Sequence, residues 1–89
     1  MDDWEGIAER GEAYAQAHAA AKAREDYQRA LQLSPDNPRV VGMMTTLDLQ
    51  TGDWPQALED STRWVTLEPG QALAVKAQAL ARSHLYRGS

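Results

Sequence analysis

Apolar residues along this chain recur at intervals of three and four and nowhere alternate over a sustained stretch, which is the signature of helix without strand. Breaks divide the pattern into five segments. The first, about residues 3–17, places Trp4, Ile7, Ala8, Tyr14 and Ala15 at helical spacing. The second, about 20–33, carries Ala23, Tyr27, Ala30 and Leu31 on one stripe. "SPDNP" interrupts it, and Asn37 before Pro38 has the form of an N-cap with proline in the first turn. The third segment, about 38–51, stops at Gly52, a residue suited to a left-handed cap. Asp53 with Gln56 has the form of a capping box opening a fourth segment, about 54–67. "EPG" closes that one. A fifth, about 71–87, runs to Gly88, with Val75, Ala79 and Leu80 as its expected inward face.

One stretch resists this division. "AQAHAAAKAR", residues 15–24, is mostly strong helix former and holds no glycine, proline or aspartate. Either the chain turns inside it, or the first two segments fuse into one helix of about thirty residues whose second half packs on another molecule.

The chain also repeats itself. Pro35 and Pro69 set an offset at which Leu33 also matches Leu67, Leu31 matches Val65, Ala23 matches Ala57 and Ile7 matches Val41. Gly11, Tyr14, Ala23, Tyr27, Ala30 and Pro35 alternate small and large side chains before a proline stop. The second copy keeps Gly52, Trp54, Ala57 and Pro69. A 34-residue period of paired helices carrying these residues resembles the tetratricopeptide repeat family. In that family the small positions lie where two helices cross closely, the large ones fill the space between layers, and proline ends the second helix. Departures occur at Arg10, Thr45, Asp48, Ser61 and Trp64, of which Trp64, where a small residue is expected, is the largest.

The resemblance implies an all-α solenoid of about two repeats, residues 4–37 and 38–70, plus a terminal capping helix over 71–87, in a single domain. Counting back by one period from Gly52 and Asp53 lands on His18 and Ala19, so the turn is due inside the alanine-rich stretch. Histidine tolerates the left-handed conformation better than most residues, which keeps the turn open as an alternative to fusion. The resemblance also implies a concave groove lined by the first helix of each repeat. It places Glu5, Glu9, Glu12 and Gln16 there, then Met43, Thr46, Leu49 and Gln50, then Leu73, Lys76, Ala77, Leu80 and His84.

Composition narrows the function more than the fold. With 89 residues and no cysteine, the chain has neither a disulfide framework nor thiolate metal ligands, which fits a soluble, cytoplasmic domain. No apolar run approaches the length of a membrane span. A net charge of −4 and a pI near 5.0 argue against sequence-independent nucleic-acid binding. The charge is uneven: Asp2, Asp3, Glu5, Glu9 and Glu12 crowd the start, whereas 71–89 holds Lys76, Arg82 and Arg87 without an acid.

His18 and His84 lack metal-ligand spacing, and there is no glycine-rich phosphate loop or G-x-S-x-G motif. The carboxylate pairs Glu25–Asp26 and Glu59–Asp60 read as solvated charge on exposed faces. The expected function is therefore non-enzymatic and needs no cofactor: an adaptor-like protein-interaction module. One subgroup of the family grips a C-terminal carboxylate in the manner of co-chaperones. The matching places here hold Ala8, Glu12, Met43, Leu73 and Ala77, none of which can do so. A partner peptide or helix with apolar anchors and a basic end fits better. The alternatives are a self-assembling scaffold, as a swapped homodimer or a head-to-tail oligomer, and a section of a longer repeat protein.

Overall fold

The computed structural model describes residues 3–86 and forms five helices: α1 (Trp4–Gln16), α2 (Ala20–Leu33), α3 (Pro38–Thr51), α4 (Trp54–Leu67) and α5 (Ala72–Tyr86). Asp2, Arg87 and Gly88 lie outside the described residues. The starts are built by side chains accepting from orphan backbone N–H groups. Asp3 accepts from Glu5 N at 2.7 Å, Asn37 from Arg39 N at 3.0 Å, and Asp53 from Gln56 N at 3.3 Å. The capping box at α4 is one-sided, because the Gln56 amide turns down its helix and donates to Asp60 Oδ1 at 3.2 Å.

The alanine-rich stretch turns. His18 sits at φ 63° and Gly52 at φ 75°, both in the left-handed region and at equivalent places of the two repeats. The same two hydrogen bonds close each turn. Ala19 N donates to Tyr14 O at 2.8 Å and His18 N to Ala15 O at 3.1 Å; Asp53 N donates to Asp48 O at 3.0 Å and Gly52 N to Leu49 O at 3.4 Å. This is the Schellman pattern, which satisfies the last carbonyls of the helix. The continuous helix is not formed, and the swapped dimer that depended on it loses its basis. Propensity favoured fusion, but the buried contacts between α1 and α2 outweigh it.

The helices stack in chain order, α1 on α2, α3 on α2 and α4, and α5 on α4, within a body 48 × 28 × 17 Å in extent. One apolar cluster joins Ile7, Ala23, Tyr27, Val40, Met44 and Leu47, and a second joins Val41, Trp64 and Ala74. The residues that depart from the repeat pattern in the second repeat are all inside: Thr45, Asp48, Ser61 and Trp64 are buried.

Their logic lies in pairs. A Cβ on Gly11 would stand 2.8 Å from the Tyr27 ring, so in the first helix pair the glycine makes a notch for the tyrosine. At the equivalent places of the second pair, Thr45 and Ser61 are both mid-sized. One turn away, a Cβ on Gly42 would stand 2.8 Å from the Trp64 ring. The places equivalent to Gly42 and Trp64 in the first pair hold Ala8 and Ala30. The large ring and its notch have moved together by one helical turn. Thr45 satisfies its buried hydroxyl by donating to Val41 O at 2.9 Å.

Two expectations need correction. The inward face of α5 is Ala74, Ala77 and Ala81, all buried, whereas Val75 and Leu80 are 48% and 44% exposed and Ala79 is exposed too. Close packing against α4 selects the small side chains of the stripe Ala74, Ala77 and Ala81. Asp26 and Asp60 are not solvated; both are buried, on the faces that α2 and α4 turn toward α1 and α3.

The two turns differ in their chemistry, and the difference is measurable. A non-glycine residue in the left-handed region costs roughly 1 kcal/mol, and Ala19 offers α2 no capping side chain where Asp53 caps α4. His18→Gly and Ala19→Asp are each expected to raise stability by about 1 kcal/mol in chemical denaturation. Gly52→Ala is expected to lower it by a similar amount.

Candidate functional site: a groove along α3

Residues one turn apart on α3 share a face, and those that its neighbours leave uncovered become the floor of any groove. On α3 these include Arg39, Met43, Thr46 and Gln50. Three hollows run along them. The first, about 400 Å³, is lined by Arg39, Gly42, Met43, Trp64 and Glu68 among others. The second, about 150 Å³, lies between Glu12, Gln16, Met43, Tyr27 and Gln50. The third, about 230 Å³, lies between Leu49, Trp64, Leu73, Lys76, Ala77 and Leu80. Thr46 borders all three, and its own hydroxyl is turned back to Gly42 O at 3.0 Å.

Most of the residues expected in a groove are thus gathered along one face: Glu12 and Gln16 from α1, Met43, Thr46, Leu49 and Gln50 from α3, and Leu73, Lys76, Ala77 and Leu80 from α5. Glu5 sits at the rim, 3.5 Å from Arg39, in an exposed pair of little energetic weight. Glu9 is exposed and borders none of the three hollows. His84 belongs elsewhere. Its ring stacks on Trp54 with centroids 3.7 Å apart and planes 4° from parallel, so it ties α5 to the start of α4.

Arg39, Gly42, Trp64, Glu68 and Gln71 line the groove without having been expected there. Arg39 was legible, because the repeat step from Glu5 to Leu73 passes through it. Trp64 was not, since it lies on a second helix. It reaches the groove because Gly42 has no side chain to stand in its way. Its indole Nε1 donates to Glu68 Oε1 at 2.9 Å, which fixes the ring as a wall between two of the hollows.

A family model described as the tetratricopeptide repeat matches residues 14–59, more than half of the chain. The chain belongs to the tetratricopeptide repeat family. No curated protein matches it. Tetratricopeptide repeats generally mediate protein–protein interaction and are typically non-enzymatic, and the five helices have the all-α repeat form. Among the described residues no helix is long and apolar enough to cross a membrane, and no three His, Cys, Asp or Glu side chains gather to hold a metal ion.

Behind the groove, this repeat protein carries two buried carboxylate sites at equivalent places. Asp26 receives a two-pronged contact from Arg10, Nε to Oδ2 at 3.0 Å and Nη2 to Oδ1 at 2.8 Å. The Arg10 hydrogen bond and charge hold its carboxyl below the ordinary value of 3.8, against the opposing effect of burial. Asp60, its counterpart in the second repeat, meets a second carboxyl instead, that of Asp48.

Asp48 is fully buried. Arg24 Nη1 from α2 stands 2.8 Å from its Oδ1 but out of line for a hydrogen bond, so both Asp48 oxygens lack a donor, as does Asp60 Oδ2. Burial first, and then the facing Asp60 carboxyl, push Asp48 up to about 8, with Arg24 opposing. A proton held between the two carboxyls is the arrangement this favours.

The two sites act on stability in opposite directions. Asp26 titrates lower when folded, so its contribution is present above pH 4 and lost as the pH falls further. Asp48 titrates higher when folded, so its contribution is full below about pH 4 and lost as the pH rises toward 8. Stability is therefore expected to peak in mildly acidic solution and to fall by at least about 1 kcal/mol from pH 5 to pH 8. Asp48→Asn, neutral throughout and able to donate to Asp60, is expected to flatten that fall in urea titrations run across the range.

Proposed function

We propose that the chain is a single domain of two tetratricopeptide repeats, residues 4–37 and 38–70, with a terminal helix over 71–87. In this reading it binds a peptide or short helix of a partner protein along the α3 groove. The observation that carries the reading is the exposure of large apolar side chains beside that groove. Leu73 is 62% exposed and Leu80 44%, although a core with room for them would have taken them in. With Met43 and the edge of Trp64 they offer apolar footholds across α3 and α5, and methionine adapts to differently shaped anchors.

Charge orients the ligand. Glu12 stands on the α1 side with Glu5 at the rim beside Arg39, and Glu68 at the α3–α4 end, while Lys76 stands on the α5 side. A peptide with a basic end toward α1 and apolar anchors toward α5 matches this field, whereas an acidic peptide is repelled at α1. The same field supports protein rather than nucleic acid as the partner. No side chain in the groove supplies a nucleophile beside a base, so binding, not catalysis, is the function its chemistry supports.

The test is a titration with pairs of labelled peptides that share two leucine anchors and differ only in a terminal Lys-Arg or Glu-Glu pair. Basic peptides are expected to bind at least tenfold tighter. Thr46→Trp, which fills the meeting point of the three hollows from an accessible position, is expected to weaken binding tenfold with helicity unchanged. Equal or tighter binding of the acidic peptides would overturn the polarity, and an unaffected Thr46→Trp would overturn the groove.

A further inference from the structure

The helix α5 presents a second surface, distinct from the groove. On α3, Val41, Thr45 and Asp48 form a buried stripe, in which Val41 packs with Trp64 of α4 and the Asp48 carboxyl meets Asp60 of α4. The repeat step carries these three places to Val75, Ala79 and Arg82 on α5, and all three are exposed. In the first two pairs, the helix that covers this stripe has a common sequence. Ala23, Glu25, Asp26 and Arg29 of α2 recur as Ala57, Glu59, Asp60 and Arg63 of α4. The aspartate of that pattern is the residue that faces the stripe: a Cβ on Gly11, the counterpart of Thr45 and Ala79, would stand 3.1 Å from Asp26 Cβ, and the Asp60 carboxyl meets that of Asp48, the counterpart of Arg82. On α5 the place where two carboxyls meet in α3–α4 is therefore held by a cation.

We propose that the Val75–Ala79–Arg82 face of α5 docks an amphipathic helix of a partner protein, seated as α4 sits on α3, with a carboxylate of its contact face paired to Arg82. Ala79 stands where Thr45 and Gly11 stand and leaves room for a mid-sized or aromatic side chain. Lys76 stands where Gly42 makes the notch for Trp64, so a tryptophan there is excluded and a small residue required. The α2 pattern, with Ala23, Asp26, Tyr27 and Ala30, meets these conditions and the α4 pattern does not. A second copy of α5 is a poor occupant, because residues 71–86 carry Lys76 and Arg82 without an acid and two such faces repel.

The probe is a peptide of residues 20–33, acetylated and amidated, locked as a helix by a staple across positions 28 and 32, outside the contact face. Added to the whole chain, it is expected to shift the backbone NMR signals of Val75, Ala79 and Arg82. Arg82→Glu is expected to weaken binding at least tenfold with helicity unchanged, and a peptide carrying Asp26→Arg to recover it. Thr46→Trp in the groove should leave this binding as it was, which separates the two surfaces. Shifts centred on Ala8 and Gly11, with the peptide displacing α2, would overturn the proposal. So would undiminished binding to the Arg82→Glu chain, no binding at millimolar peptide, or self-association of the chain through Val75 in place of peptide binding.

Discussion

The α1–α2 pair and the α3–α4 pair are each held by one aromatic ring seated in a glycine notch on the facing helix. Side chains at a close crossing compete for the same space, so two helices approach fully only where one of them has no Cβ. Tyr27 uses Gly11 in the first pair and Trp64 uses Gly42 in the second. The surrounding alanines, Ala8, Ala23, Ala30 and Ala57, are buried to within 1% because the two backbones come close around these rings. The position of the notch then decides what else a pair can carry. In the second pair, moving it by one turn leaves Thr45 and Ser61 to pack without an aromatic ring and brings Trp64 to the groove.

The core and the groove are thus parts of one device. Trp64 contributes to the cluster that binds α3, α4 and α5, and its edge also borders two hollows on the exposed side. A ring shared between core and groove resists displacement, because moving it would expose buried apolar surface as well as breaking its bond to Glu68. The buried carboxyls lie at positions where the helix pairs meet, away from the groove, and they respond to pH rather than to a ligand. Arg24 belongs to α2 but reaches Asp48 on α3, so that cluster also spans the seam between the two pairs.

Helix boundaries were legible because punctuation sets them: Pro38, Gly52 and Asp53 act through their own backbone or side chain, and their effect is local. The turn at His18 has no such punctuation. It became legible only through its repeat offset from Gly52, since local propensity points the other way. The groove register was legible for the same reason, with Arg39 overlooked although Glu5 and Leu73 bracket it. Trp64 was illegible as anything but an anomaly, because its partner Gly42 lies on another helix and compensation across helices leaves no mark in local spacing. The inward face of α5 was misread in register: the alanine stripe Ala74, Ala77 and Ala81 takes the close crossing, and Val75, Ala79 and Leu80 are left outside. Asp26 and Asp60 were misread because charge normally marks the surface, and their partners on the facing helices, Arg10 and Asp48, are distant in sequence.

The notch is tested most directly by a double-mutant cycle of Gly42→Ala and Trp64→Ala, read as unfolding free energy. In the native chain the added methyl meets the ring, so Gly42→Ala is expected to cost about 1–3 kcal/mol. In the Trp64→Ala background the ring is gone and the second pair matches the Ala8–Ala30 arrangement of the first. There the same substitution is expected to stabilise, by about 0.5–1 kcal/mol, as alanine does within a helix. A change of sign between the two backgrounds is the predicted result. Effects of Gly42→Ala that agree within about 0.5 kcal/mol in the two backgrounds would contradict it.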